Sequence, residues 1–495
     1  MVAKMIARRS VILLAAVAGA CAVGPSTRAA RQAPMPAVEG RVGQATTPAA
    51  RAFLDSLARV RGAEHGVPDA AAPLQLDSAR DVRWLGLLRD SQLVALVNAA
   101  VQNNQTVRAA AARVLAYRDQ VTVARSQLLP QLSLNTSTTS SQTIFGNSLP
   151  AQSDAVRLTG DVQWELDLWG RARRSTEAAQ LDWLTQEDDR RAVVLSLVSG
   201  VATGYLELRE ADQDVRIAEE AAAARRATLE LARKRFAQGL ISELDVRQFE
   251  SEVASSAISV AQFAQRRVEA ENQLSLLAGL PPSSIPRGSL SASPSDAPVL
   301  RPVDVPDSIP SEMLAARPDV RRAERAWQAA TARVGAAEAS RLPRLFVAGQ
   351  YGTQRPGQTG LFQPNGEIYT LQAGISLPLF TGGRLQAQQD VAQAQVMEAR
   401  ATLEQTRLNA MREASNALAA VRFTRDQLAA QETQVRALTR ALDLARQRYG
   451  SGVSSYLEVL DAQRSLFAAQ IAFARVQREH NAAAVQLYRT LGGAW

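Results

Sequence analysis

The stretch VRLTGDVQWELDL, residues 156–168, alternates with a period of two. Its even positions hold Val156, Leu158, Gly160, Val162, Trp164, Leu166 and Leu168; its odd positions hold Arg157, Thr159, Asp161, Gln163, Glu165 and Asp167. Successive side chains of a β-strand point to opposite faces, so this segment is a ribbon with one apolar and one polar side. A second ribbon carries Tyr369, Leu371, Ala373, Ile375, Leu377 and Leu379 on one face, with Thr370, Gln372 and Ser376 between them. Partner strands open on Leu132, Leu134 and Thr136 and on Leu345, Val347 and Gly349. The four strands are expected at about 131–142, 156–168, 344–353 and 369–379. Each lasts about 9–13 residues, the length of a tilted strand that crosses a bilayer, with one face to lipid and the other to a watery lumen.

The apolar set is even-numbered in the first ribbon and odd-numbered in the second, as it must be if the chain is duplicated with an odd offset. Pro130 in QLLPQLSL matches Pro343 in SRLPRLFV, 213 positions on, and Gly170-Arg171 matches Gly383-Arg384 at the same spacing. Val107-Arg108 with Val320-Arg321, Arg235-Phe236 with Arg448-Tyr449, Gly239 with Gly452 and Gln273-Leu274 with Gln486-Leu487 share that offset. A constant offset across so many anchors identifies an internal repeat. The chain divides into a first copy at 84–280, a proline-rich linker at 281–316 and a second copy at 317–495.

In each copy the pattern runs helix, strand, loop, strand, very long helix, glycine turn, helix. Residues 171–237 contain no proline, and Val194, Leu197, Val201, Tyr205 and Leu208 form one helical face. In the second copy Val421, Leu428, Val435, Leu438, Leu442, Ala445 and Tyr449 keep coiled-coil spacing. A helix of that length reaches roughly 100 Å at 1.5 Å per residue. Gly200 and Gly204, in the middle of the first long helix, read as points of close helix approach.

Composition narrows the classes. Aromatic residues are 5% of the chain against 46% hydrophobic overall, so the apolar content is the Ala, Leu and Val of long packed helices. A single Cys excludes a disulfide framework or thiolate zinc site, and His65 and His480, far apart, do not suggest a metal. The net charge is +8, yet its arginines are scattered among acids rather than clustered with aromatics, which opposes nucleic-acid binding. No phosphate-cradling loop or nucleophile–base spacing is present, so neither an enzyme nor a cofactor is expected. The acids Glu187, Asp188 and Asp189 read as a solvated helix face.

At the amino terminus Lys4, Arg8 and Arg9 precede an apolar run at 11–17 and small residues up to Cys21. The run is too short to span a membrane and has the form of a secretory signal, residues 1–20. Cys21 stands where a bacterial lipoprotein is acylated, although Ala18 replaces the usual leucine. Residues 21–83 then read as an Ala-, Pro- and Arg-rich tether, with a short helical pattern at Phe53, Leu54, Leu57 and Val60.

Four strands cannot close a barrel, and open strand edges cannot face lipid. The chain must therefore associate; three copies supply twelve strands, and a homotrimer is expected. The fold class is mainly α with a small membrane β-barrel.

Several motifs together resemble the TolC-like outer-membrane efflux proteins, in their acylated multidrug-efflux branch. They are LVALVNAAVQNNQTVRAAAARV (93–114), WELDLWGRARR (164–174), IPSEMLAARPDVRRAE (309–324), LPLFTGGR (377–384) and RYGSGVSSYLEVLDAQRSLF (448–467), with CAVGP from Cys21. The resemblance implies a trimer with one shared twelve-stranded barrel in the outer membrane, a periplasmic α-barrel of long helices and an equatorial region that includes the linker. It implies a periplasmic adaptor protein and a proton-driven inner-membrane pump as partners. The turns at Gly239, Leu240 and Ser242 and at Gly452, Val453 and Ser454 become adaptor-docking tips. Leu457, Glu458 and Asp461 become a periplasmic gate, closed chiefly by a leucine ring, because two carboxylates about 6 Å apart in water repel by only about 0.7 kcal/mol. Tyr449 and Asp245 become a lock between coiled coils, while the family's arginine tie falls on Ser454 in this chain.

The sequence leaves three other readings open. An exit duct for type I protein secretion shares the architecture. A periplasmic adaptor lipoprotein would need only one helical hairpin and a soluble β-domain. A structural coiled-coil tether would have no use for the strand alternation.

Overall fold

The computed structural model describes residues 38–39, 90–143, 151–287, 308–309, 311–356 and 366–492. Cys21, the signal and nearly all of the tether, with its helical pattern at Phe53, lie outside them. In chain order the elements are β1 (Val38–Glu39), α1 (Ser91–Asn103), α2 (Gln105–Ser126), β2 (Gln131–Thr143), β3 (Ala151–Leu166), α3 (Arg171–Ala237) and α4 (Glu243–Leu277). They continue with β4 (Ser308–Ile309), α5 (Ser311–Ala315), α6 (Pro318–Ala339), β5 (Arg344–Pro356), β6 (Glu367–Ser376), α7 (Arg384–Gly450) and α8 (Tyr456–Thr490). The helices α3 and α7 both have 67 residues, and α4 and α8 both have 35, so the repeat is kept to the residue. The chain forms two compact units, one from Ala112–Asp188 with Arg321–Gln405 and the other chiefly from Asp189–Val320 with Thr406–Trp495.

The first unit holds a four-stranded antiparallel sheet in the order β2-β3-β5-β6. Its register puts Asp161 opposite Ser133 on β2 and Gln350 on β5, so the polar residues of neighbouring strands share one face. On that face Asp161 accepts hydrogen bonds from Asn135 and from Gln350 (2.7 Å), and Gln350 accepts from Arg157. This network ties three strands into one register. The other face carries the leucines; Leu132 is 81% and Leu371 80% exposed. A soluble sandwich would cover such a face, so its exposure supports the lipid-facing reading.

Two strands end earlier than the alternation suggests. β3 stops at Leu166 because Asp167 turns back to accept the N–H groups of Ala172 and Arg173 at the start of α3. β6 stops at Ser376, two residues before Pro378, which has no N–H for a ladder.

One expectation is overturned. Glu187 and Asp188 are not a solvated face: Asp188 is 0% exposed and pairs with Arg325 of α6 at 2.6 Å, with Arg321 at 3.8 Å. A carboxylate on a helix reads as solvated until the cation opposite it is known, and here that cation comes from the second copy.

In the second unit Val201, Tyr205 and Leu208 of α3 are buried with Leu93, Val97, Val107, Leu274 and Val485, so the seam read from the sequence is the core. Leu274 and Leu277 of α4 lie over Gly204, where an added methyl would meet them at 3.4 and 3.7 Å; this is the expected close approach. Asn104 donates to the carbonyl of Leu277 at 3.0 Å, and its repeat equivalent Arg317 donates to the carbonyl of Thr490 at 3.0 Å. The guanidinium is the larger group and also holds Asp319 and Glu413. The two-residue strands β1 and β4 pair antiparallel, Val38 opposite Ile309.

Candidate functional site

All the residues expected at the gate and tips lie in the second unit, where two helical hairpins turn. Both turns are built alike. Gly239 and Gly452 each have φ +73, the left-handed conformation that a helix-ending glycine takes without strain. Gly239 N–H donates to Phe236 O at 2.9 Å and Leu240 N–H to Arg235 O at 3.0 Å. Gly452 to Tyr449 (3.1 Å) and Val453 to Arg448 (3.0 Å) repeat that pair of bonds, so both helices end in a Schellman motif. The side chains beyond, Leu240 and Val453, stand in solvent.

The helices that follow start differently. Ser242 and Asp245 form a full capping box: Ser242 N–H donates to the Asp245 carboxylate at 3.0 Å, and Asp245 N–H donates to Ser242 Oγ at 3.3 Å. The equivalents one repeat later are Ser455 and Glu458, and there Ser455 makes no side-chain cap. Glu458 instead faces Arg448 at 3.5 Å. The second copy has thus released its cap acid to pair with the preceding helix.

Leu457 is 62% exposed and Asp461 is exposed one helical turn further on. Leu457 has a repeat counterpart in Leu244, 67% exposed, so each hairpin presents one bare leucine just after its turn. Asp245 and Tyr449 are not hydrogen-bonded to each other within the chain. The hydrogen bonds of Asp245 stay in its own capping box, and the Tyr449 ring lies 4.8 Å from the Arg235 guanidinium and 5.4 Å from the Tyr456 ring. The Ser454 hydroxyl, where the resemblance expected an arginine, is buried without a hydrogen-bond partner.

What joins the two hairpins here is a set of residues that the sequence reading did not single out. Phe249 of α4 packs at a tilt against Tyr456 of α8, with ring centroids 4.1 Å apart. Glu252 of α4 is buried and binds Arg464 of α8, with Arg225 of α3 at 3.8 Å. Burial, and after it the charge of Glu252, push the Tyr456 phenol up to about 12, so it remains a neutral donor at every physiological pH. Glu252 lies in a run of small and polar residues, and only the arrival of helices from both copies gives it a role.

The two turns present exposed leucines, small polar residues and charge pairs, and no group of three or more His, Cys, Asp or Glu that could hold a metal ion occurs among the described residues.

Comparisons with known proteins place the chain in a family. The family model described as "Outer membrane efflux protein" matches residues 96–280 and 309–493, two stretches that are themselves 213 positions apart. The chain is 34% identical over 413 residues to the solvent efflux pump outer membrane protein SrpC of Pseudomonas putida, covering 82% of this chain and 86% of that one. It is 30% identical to the cation efflux system protein CusC of Escherichia coli, over 87% and 91% of the two chains. The crystal structure of the outer membrane protein VceC from Vibrio cholerae superposes with a TM-score of 0.75 at 27% identity, over 83% of this chain and 98% of that one. With both repeats matched and most of its length aligned, the chain belongs to the outer membrane efflux protein family.

Proposed function

We propose that this chain is the outer-membrane exit duct of a tripartite efflux system, carrying drugs or other small molecules outward without catalysis of its own. An energised pump in the inner membrane, driven by protons, supplies the work, and a periplasmic adaptor docks on the tips at Gly239, Leu240 and Ser242 and at Gly452, Val453 and Ser454. The observation that carries the reading is the sheet: four strands, one apolar exposed face, one hydrogen-bonded polar face and two unpaired edges. Three copies give a closed twelve-stranded barrel and leave no edge in lipid. Acylation at Cys21 adds an anchor in the same membrane. Covalent crosslinking should yield three copies.

The functional test is a strain lacking the gene. It is expected to become more susceptible to several chemically unrelated small molecules, and the wild-type gene should restore resistance. Unchanged susceptibility together with loss of a secreted protein would replace efflux by protein export.

Closure rests on Leu457, Glu458 and Asp461, with Tyr449 and Asp245 as a tie made between neighbouring coiled coils when copies assemble. Tyr449→Phe combined with Asp245→Ala is expected to raise single-channel conductance in planar bilayers. The same conductance as wild type would remove these two residues from the lock.

A further inference from the structure

Asp214, in the middle of α3, has no part in the duct, gate or tips described above. It is 5% exposed, and its Oδ1 is buried without a hydrogen-bond partner. An ionised carboxylate in such a place is costly unless a cation or several donors meet it. The charged groups around it do not supply that. On its own helix Glu210, one turn away, has the same sign, and its partner Arg478 of α8 is already committed to it at 2.8 Å. Asp212 takes Arg287 at 3.1 Å, and that guanidinium also binds Glu271 of α4. Arg266 of α4 acts on Asp214 only through space.

The repeat shows that this is not forced by the fold. One repeat later the same position is Gln427, exposed, and the positions of Glu210 and Arg266 become Phe423 and Glu479. The second copy thus has neither the buried acid nor its neighbours.

We propose that Asp214 is a proton-binding site, occupied in acid and vacated as the medium turns alkaline, which couples the packing of the first helical hairpin to pH. Protonated, the carboxyl is a small neutral group suited to the interior. Ionised, it faces Glu210 across one turn and draws on Arg266, so the hairpin is held less firmly. Burial first, and the Glu210 charge second, raise the group from its ordinary value to about 7, against a lowering by Arg266.

The sign follows from linkage. A carboxyl with a raised folded-state value lends stability that is full below its unfolded value of 3.8 and is lost as pH rises through about 7. His480, a buried imidazole that also titrates away from its ordinary value, is lowered by burial and by Arg425, and its ring nitrogen meets Thr424 at 3.1 Å. With its folded value below the unfolded 6.5, it makes stability rise with pH up to about 6.5, the opposite sign to the loss expected from Asp214 as pH climbs from 3.8 to about 7.

The test is difference infrared spectroscopy on the full-length wild-type chain in detergent, stepped from pH 5 to pH 9. A protonated-carboxyl C=O band is expected to disappear near pH 7 and to be missing throughout in Asp214→Asn. Melting of both proteins over the same range should show a midpoint that falls with pH in the wild type and a markedly shallower fall in Asp214→Asn. No carboxyl band above pH 6, or a band that survives in Asp214→Asn, would overturn the proposal. If Asp214→Asn fails to fold, the wild-type spectra alone still decide against the proposal when they show no carboxyl band above pH 6, and because no transport is measured, the outcome is independent of the efflux reading.

Discussion

Arg325→Ala is expected to destabilise the full-length chain by about 3 kcal/mol in denaturant melts. Its guanidinium is the near partner of Asp188, which has no access to solvent, and it also donates to the carbonyl of Leu184 at 2.7 Å. Removing one member of a buried pair leaves the other charged and uncompensated, which typically costs 3–5 kcal/mol. Arg321, at 3.8 Å, softens the loss and places it at the lower end. The pair itself is a different matter. Replacing both by Leu removes the charge together with its partner, and the double variant is expected to lie within about 1 kcal/mol of wild type. If Arg325→Ala melts like wild type, the buried pair is not holding α6 to α3.

A comparably large effect is expected at Gly279, and a second glycine calibrates it. Gly279 and Gly239 both adopt left-handed backbone, with φ +70 and +73. An L-residue there costs roughly 1–2 kcal/mol by itself. At Gly239 a new methyl meets nothing within 4 Å, so Gly239→Ala should cost about that much and no more. At Gly279 the methyl would sit 2.7 Å from the backbone C and O of Asn103, atoms that cannot rotate aside. Overpacking adds roughly 1–3 kcal/mol, so Gly279→Ala should lose about 3–4 kcal/mol in total. Equal melting midpoints for the two variants would show that the contact between the end of α4 and α1 yields without cost.

The contrast between these glycines marks what the sequence could reveal. Gly239 read as a helix end from its place after a periodic run and from its pairing with Gly452 across the repeat, whereas nothing in the sequence singled out Gly279, whose constraint comes from the backbone of Asn103. The alternation at 156–168 was legible because a strand exposes its two faces to different media, and a period of two needs no knowledge of the partner. The seam from Val194 to Leu208 was legible for the same reason at a period of 3.6. Asp188, Glu252 and Asp214 were not. Each sits on a helix with charged neighbours, and whether such a carboxylate faces water, an arginine or nothing depends on helices supplied from elsewhere in the chain. The capping acids show the limit most sharply: Ser242 with Asp245 and Ser455 with Glu458 carry the same spacing, yet only the first pair closes, because Arg448 competes for Glu458.

The outer strands of the sheet, β2 and β6, each keep one row of backbone N–H and C=O groups with no strand neighbour among the described residues. A solitary copy is therefore adhesive along two borders at once, and each copy that joins satisfies one border while offering another. Growth of that kind ends only when curvature brings the first border round to the last. If the barrel closes as proposed, the number of subunits follows from the curvature of the joined sheets. On that reading, arcs short of a full circle would carry an adhesive border that other strand-bearing chains could join.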